Sequence, residues 1–443
     1  SSNRISCIAE DKYKKIWIGT EDNGISILNE HDTFTHLRKD TRNSNSLSNN
    51  SVRALTVDAF SNIWIGTFNG LNYFNTKNNT FKIYRNSDIN NNSISHNSIR
   101  SILLDDDGFL WLGSYFGGIS INDPISKQFE HYTHNVLNNN SLNYNVVSEI
   151  TEDKKGNIWI GTEGGGLNYY DCSTKKFSSI DSFYGKKLNC NTIKSILLDR
   201  NENLWIGTHK EGLTYLNFKT KRLQEFNYSP KKSNSLNSSI VTALLEDSQG
   251  NIWIGTQQGL NKLDPKTQNI TKTQLNNNNT NNDPEANTIC SLFEDSRNNI
   301  WIGTRGNGLI RYNKGNIKHF LHDSKNLKSI SHNVINTIFE DSENRLWFGT
   351  YGGGLNLINT KNDSFKKYKT IDGLVNDIVY CIEEDTAKNL WISTPSGISK
   401  FNFETKIFKN LTPNNGLVIE EFNESSSLNH SSGNLFFGGF NGL

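Results

Sequence analysis

Every tryptophan of this chain stands in one recurring phrase, and the spacing of that phrase constrains the fold more than anything else in the sequence. Trp17, Trp64, Trp111, Trp159, Trp205, Trp253, Trp301, Trp347 and Trp391 follow one another at 47, 47, 48, 46, 48, 48, 46 and 44 residues. The phrase reads W-I-G-T in most copies, with W-L-G-S at Trp111, W-F-G-T at Trp347 and W-I-S-T at Trp391. A tenth, weaker copy, L-F-F-G-G, puts Phe436 at the Trp position, 45 residues after Trp391. Self-similarity at one period along 443 residues means a unit stacked on copies of itself, so separate domain cores are not required.

Local chemistry identifies the unit. Each repeat opens on an apolar run such as residues 98–105 or 287–293, passes a polar turn and enters the Trp phrase. An acid stands six positions before each Trp, at Asp11, Asp58, Asp105, Asp153, Asp199, Asp247, Asp295, Asp341 and Asp385. So fixed a spacing is what a tight hairpin demands, because one extra residue would turn every following side chain to the other face. A glycine-containing turn, a third alternating segment such as residues 166–171 and a fourth such as 177–180 complete the repeat. Paired-helix repeats share this period, but the apolar residues alternate in runs of four to eight and no stretch holds a 3.6-residue rhythm. Ile16, Trp17 and Ile18 in succession require a strand covered on both faces, as when sheets stack around a ring. The expected fold is all-β: a β-propeller of four-stranded antiparallel blades with a period of about 47 residues, nine full repeats and a partial tenth.

The phrase N-I-W-I-G-T-x-x-G-G-L-x-x-Y-x-x-x-T-x-x-F resembles the two-component regulator propeller repeat, and residues 153–177 fit it almost position by position. That resemblance implies the extracytoplasmic sensor region of a bacterial membrane-bound two-component sensor. In such proteins two seven-bladed rings precede a β-sandwich, a membrane span and a kinase. Two organisations follow. Residues 1–142 (repeats 1–3) end one ring and residues 143–443 (repeats 4–10) form a seven-bladed one, or residues 1–443 form one large ring. No strand before Ser6 is left over to complete the last half blade.

Composition narrows the partners. With 46 Lys+Arg against 45 Asp+Glu the formal charge is +1, which lacks the footprint of a nucleic-acid binder or a polybasic membrane-surface protein. No apolar run reaches 18 residues, and there is no methionine, so a segment of a longer protein is expected, with its anchor outside this chain. Cys7, Cys172, Cys190, Cys290 and Cys381 are scattered without metal-ligand spacing and read as structural thiols.

No catalytic, cofactor or metal site is expected. The acids recur with the scaffold period, and Asp105–Gly108 lacks the alternating ligands and bidentate Glu of a calcium loop, so turn capping is the reading for the repeated Asp. The hairpin at residues 247–253 resembles the Asp-box of sialidases with the acid one position out of register. Runs such as Gly164–Gly166 lie between strands, where they carry no nucleotide signal. Function then belongs to positions where repeats differ. These are the turns after each Thr and the connections between blades, which meet on one face: Tyr115, Phe116, His209, Arg305 and Tyr351 among the former, His96, Tyr144, Cys190 and His332 among the latter. Rings, amides and charges around a funnel suit a neutral or mildly acidic oligosaccharide. The first five are the expected ligand-binding residues of a sensor, with a homodimer formed through the parent receptor. The alternative is a non-catalytic protein-interaction or self-assembly propeller, and a propeller glycosidase or lyase stands behind both.

Overall fold

The computed structural model describes residues 2–29, 32–87, 93–105, 108–122, 129–180, 191–275, 284–412, 417 and 421–443. Among these residues the chain forms eight four-stranded, one three-stranded and one two-stranded antiparallel sheets, each strand paired with its neighbours in sequence. Helical content is confined to short turns such as Pro284–Asn287 and Thr370–Asp372. The three-stranded sheet is Ile99–Leu104, Leu110–Ser114 and Ile119–Asn122; residues 123–128, which follow it, lie outside the described residues.

One blade serves for all. In Val241–Glu246, Ile252–Thr256, Gly259–Asp264 and Asn269–Thr273 the register sets Leu245 opposite Trp253 and Trp253 opposite Lys262. Ile252, Trp253 and Ile254 are all buried, because alternate side chains enter the interfaces with the blades on either side. The repeated acid caps the hairpin ahead of the Trp. Asp295 Oδ1 accepts the backbone N–H groups of Arg297 (3.0 Å) and Asn299 (2.8 Å), and Oδ2 accepts the indole N–H of Trp301 (2.8 Å). The indole bond recurs at Asp11, Asp199, Asp247, Asp341 and Asp385. One carboxylate thus closes the turn and fixes the ring that fills the next interface.

The glycine of the phrase is where blades come closest. A Cβ on Gly255 would stand 2.7 Å from Ile289 Cγ2, the first residue of the following inner strand, and one on Gly161 equally close to Ile193. Only the Ser393 blade carries a side chain here among the second unit's described repeats, and its hydroxyl accepts the N–H of Cys381 at 3.1 Å.

The chain divides into two compact units, Ser1–Phe129 and Glu130–Leu443. In the first, three blades stack, with Val52–Val57 packed between Ile5–Glu10 and Ile99–Leu104. In the second, the inner strands of seven successive blades pack each on the next, and Phe422–Asn429 of the seventh packs on Val147–Glu152 of the first, closing a ring. Serines reinforce several joints: Ser248, Ser296 and Ser342 donate through backbone and hydroxyl to Glu294, Glu340 and Glu384 of the following blade. At the closure Ser431 does the same to Glu152.

Beyond the two strands of the seventh blade, Leu443 bonds a segment from the other end of the unit. Tyr132 N–H donates to the Leu443 carbonyl (2.8 Å) and Leu443 N–H to the Tyr132 carbonyl (3.0 Å), while the Tyr132 ring packs on Tyr170 and Phe177. A backbone partner for the end of the seventh blade therefore lies at Tyr132, directly ahead of the ring. Cys7, Cys172, Cys290 and Cys381 are free thiols, the last two buried, and Cys190 lies outside the described residues.

Candidate functional site

At one end of the second unit the turn after each phrase is pinned to its own inner strand. The backbone N–H of Glu163, His209, Gln257, Arg305, Tyr351 and Phe440 donates to the carbonyl of Val146, Thr192, Ile240, Thr288, Val334 and Glu421 respectively, at 2.9 to 3.2 Å. Pro395 occupies the same place in the sixth blade, where its ring leaves no N–H to donate. Rigid strands therefore hold seven non-repeating side chains, one per blade, in a crown around the axis.

Two ion pairs organise this crown. Arg305 Nη2 meets Glu424 Oε2 at 3.3 Å, although Arg305 belongs to the fourth blade and Glu424 to the inner strand of the seventh, so the pair bridges the axis. Lys194 and Glu163 meet at 2.8 Å between the first two blades. Tyr351 is half exposed at 47 %, and beside it burial together with Glu424 and Glu421 pushes the Tyr380 phenol up to about 12. Burial also drives the Cys290 thiol up to about 11 against the pull of neighbouring Arg305. The Nδ1 of His209 is buried with no hydrogen-bond partner among the described residues. Deeper on the inner strands burial holds the Glu149 carboxyl well above the usual carboxylate range, and Glu383, which accepts the Ser427 hydroxyl at 2.7 Å, is pushed up to about 7.

Of the five residues expected to bind ligand, His209, Arg305 and Tyr351 share this crown, whereas Tyr115 and Phe116 belong to the first unit. There they pack edge to face at 4.4 Å, Arg100 lies over the Tyr115 ring, and Phe116 is 80 % exposed. Attention to the turns alone missed Lys194, Tyr380 and Glu424. All three lie on or beside the start of an inner strand, at positions that also vary from repeat to repeat, and that variation was the available signal. Among the described residues no group of three or more His, Cys, Asp or Glu is arranged to hold a metal ion; Asp106 and Asp107 of the Asp105–Gly108 turn lie outside them.

A stacked array of Trp-phrase blades with a variable crown defines a repeat propeller, and comparison with known proteins places it more closely. The two component regulator propeller family matches residues 1–22, 46–69, 93–116, 141–164, 187–210, 235–258, 284–306, 329–352 and 373–396, and the chain belongs to that family. It is similar over its whole length to the extracellular domain of the putative hybrid two component system BT3049 from B. thetaiotaomicron, with 28% identity, a TM-score of 0.62 and 56% of that chain covered. A histidine kinase, P4 of Formosa agariphila, is 35% identical over 80 residues, which are 18% of this chain and 6% of the kinase. The chain thus spans little more than half of the first relative and a small part of the second. Virginiamycin B lyase from Staphylococcus aureus shares the fold, with 13% identity, a TM-score of 0.50, 67% of this chain and 92% of the lyase covered. Among the described residues no helix is long and apolar enough to cross a membrane.

Proposed function

We propose that this chain is the ligand-sensing propeller region of a membrane-anchored two-component sensor, held outside the cytoplasm by segments beyond this chain and reading an oligosaccharide at the crown of its second unit. The observation that carries the reading is the contrast within each blade. Asp, Trp, Gly and Thr repeat and build the scaffold, while the next residue along, in identical register, is Glu, His, Gln, Arg, Tyr, Pro or Phe. A half-exposed tyrosine on the same crown as an arginine–glutamate pair offers a stacking face and directed hydrogen bonds, the combination a sugar ring engages. Ligand occupancy would then pass to a kinase, the receptor acting as a homodimer. The three blades of the first unit belong, on this proposal, to the end of a separate ring. In support, Trp111 of its last described blade is 37 % exposed whereas Trp253 is 1 % exposed, and Leu103 and Ile121 beside it are exposed too.

Those same apolar faces favour the second reading, a propeller whose task is to bind protein. Calorimetric titration with a panel of neutral and uronate oligosaccharides separates the two. The sensor reading expects a binding sugar whose affinity falls by about tenfold or more in Tyr351→Ala and Arg305→Ala, with melting temperatures within a few degrees of the parent. If no sugar gives heat with parent or variant, the saccharide reading is withdrawn in favour of the interaction propeller.

A further inference from the structure

A second concave site lies on the flank of the ring, away from the crown. Between the second and third blades of the second unit is a cleft of about 960 Å³, lined among others by Tyr215, Arg222, Gln224, Phe226, Gln249 and Gln268. In the first six blades of the ring the third strand ends on Asn or Asp, and in two of them the next residue is a Phe that packs on the Trp of the preceding blade. Phe218 there stacks on Trp159 at 5.4 Å and 17°, and Phe403 meets Trp347 edge to face at 5.7 Å. In the third blade the position is Pro265, a shorter side chain than Phe, and Pro265 and Trp205 both line the cleft. Three residues further on, at Gln268, the fifth blade carries Asp363, which pairs with Arg311 and Lys318 and seals its own joint. Here Gln268 and Gln224 exchange amide hydrogen bonds at 2.9 and 3.2 Å instead.

The lining states what would fit. Its carboxylates are already committed: Asp199 to the Trp205 indole and Asn203, Glu246 to Arg200, and Asp264 to the Lys266 N–H and Thr267 hydroxyl. Beyond them the lining holds side-chain amides, which both donate and accept, the Arg222 guanidinium, which donates to Gln224 at 3.0 Å, Arg200, itself paired with Glu246, the exposed Lys266, and the half-buried rings of Tyr215 and Phe226. A hydroxyl likewise donates and accepts, and a pyranose adds an apolar C–H face for the rings. We propose that this interblade cleft is a binding site for an uncharged oligosaccharide, separate from the crown and independent of whether the crown binds sugar.

The test is titration of the 443-residue chain with maltotriose, cellotriose, mannotriose and xylotriose, followed by calorimetry and ligand-observed NMR. Pro265→Phe should refill the cleft as Phe218 fills its own joint. Arg222→Ala alters the rim through an exposed side chain that the fold does not need. The expected result is a trisaccharide whose affinity drops at least about tenfold in both variants and is unchanged in Arg305→Ala. If Pro265→Phe does not fold, Arg222→Ala paired with Gln224→Ala decides the same question. The proposal is overturned if no trisaccharide binds, if binding survives these changes, or if only Arg305→Ala removes it, which would leave the crown as the sugar site.

Discussion

A buried indole bonded to a carboxylate is the smallest part that explains this molecule. Trp253 is 1 % exposed and held by Asp247, so Trp253→Ala should cost about 3 to 5 kcal/mol, since stacked sheets cannot collapse into the void. Trp111, 37 % exposed, should cost about 1 kcal/mol when truncated, and chemical denaturation of the two variants measures the difference. Glu383 is a residue of opposite character. It stands opposite Trp391, where the other blades of the ring have Thr, Leu or Phe, and burial raises it from 4.5 to about 7. A carboxyl raised on folding favours the native state fully below its unfolded pKa, and that contribution is lost as pH climbs through about 7. Glu383→Gln keeps an oxygen for the Ser427 hydroxyl and removes the charge. Thermal melts should show it matching the parent near pH 4.5 and exceeding it at pH 8 by up to about 3 kcal/mol. Equal melting at both values would mean that Glu383 is well solvated.

At the scale of the element, the blade depends on what approaches its glycine. Gly255→Ala would drive a methyl into Ile289 of the next blade, and about 1 to 3 kcal/mol of destabilisation is expected. Ser393→Gly removes the acceptor of the buried Cys381 N–H and should destabilise by a similar amount. The hairpin after each Asp needs a left-handed residue at its fourth position, supplied by Gly250 (φ 84°) in one blade and by Asn344 (φ 59°) in another. Gly250→Ala should therefore destabilise by about 1 kcal/mol, whereas Asn344→Gly should be neutral or stabilising, as urea midpoints would show. Both positions were legible as turns. The Ser-to-Glu bonds between blades were equally on view, in the E-D-S triplets at residues 246–248, 294–296 and 340–342, but a side chain that bonds a neighbouring repeat looks no different in sequence from one that faces water.

For the whole second unit, closure is the decisive term. Seven inner strands pack each on the next around the ring, and the segment at Tyr132 bonds the end of the last blade at Leu443. A fragment of residues 130–443 should then fold as a stable monomer with one cooperative melt. Starting at residue 143 removes Tyr132 and exposes the Leu443 edge at the joint that closes the ring. That shorter fragment should melt well below the longer one or aggregate, and light scattering with circular dichroism distinguishes them. Identical melts would show that Ser431, Glu152 and the seventh blade's two inner strands hold the ring unaided.

The sequence by itself determined the unit and its stacking: the period, the strand alternation, the Asp that caps the hairpin and the glycine that admits the next blade are local requirements, written again in each repeat. It also pointed to the turns that carry non-repeating side chains, because departure from a period can be seen without coordinates. Tertiary structure alone decided what those departures meet. Arg305 faces Glu424 across the axis, 119 residues away in sequence, Tyr132 pairs with Leu443, and the interblade cleft brings Pro265 to the same wall as a tryptophan of another blade. Contacts of this kind depend on how many blades complete the turn around the axis, a property of the closed ring that no single repeat contains.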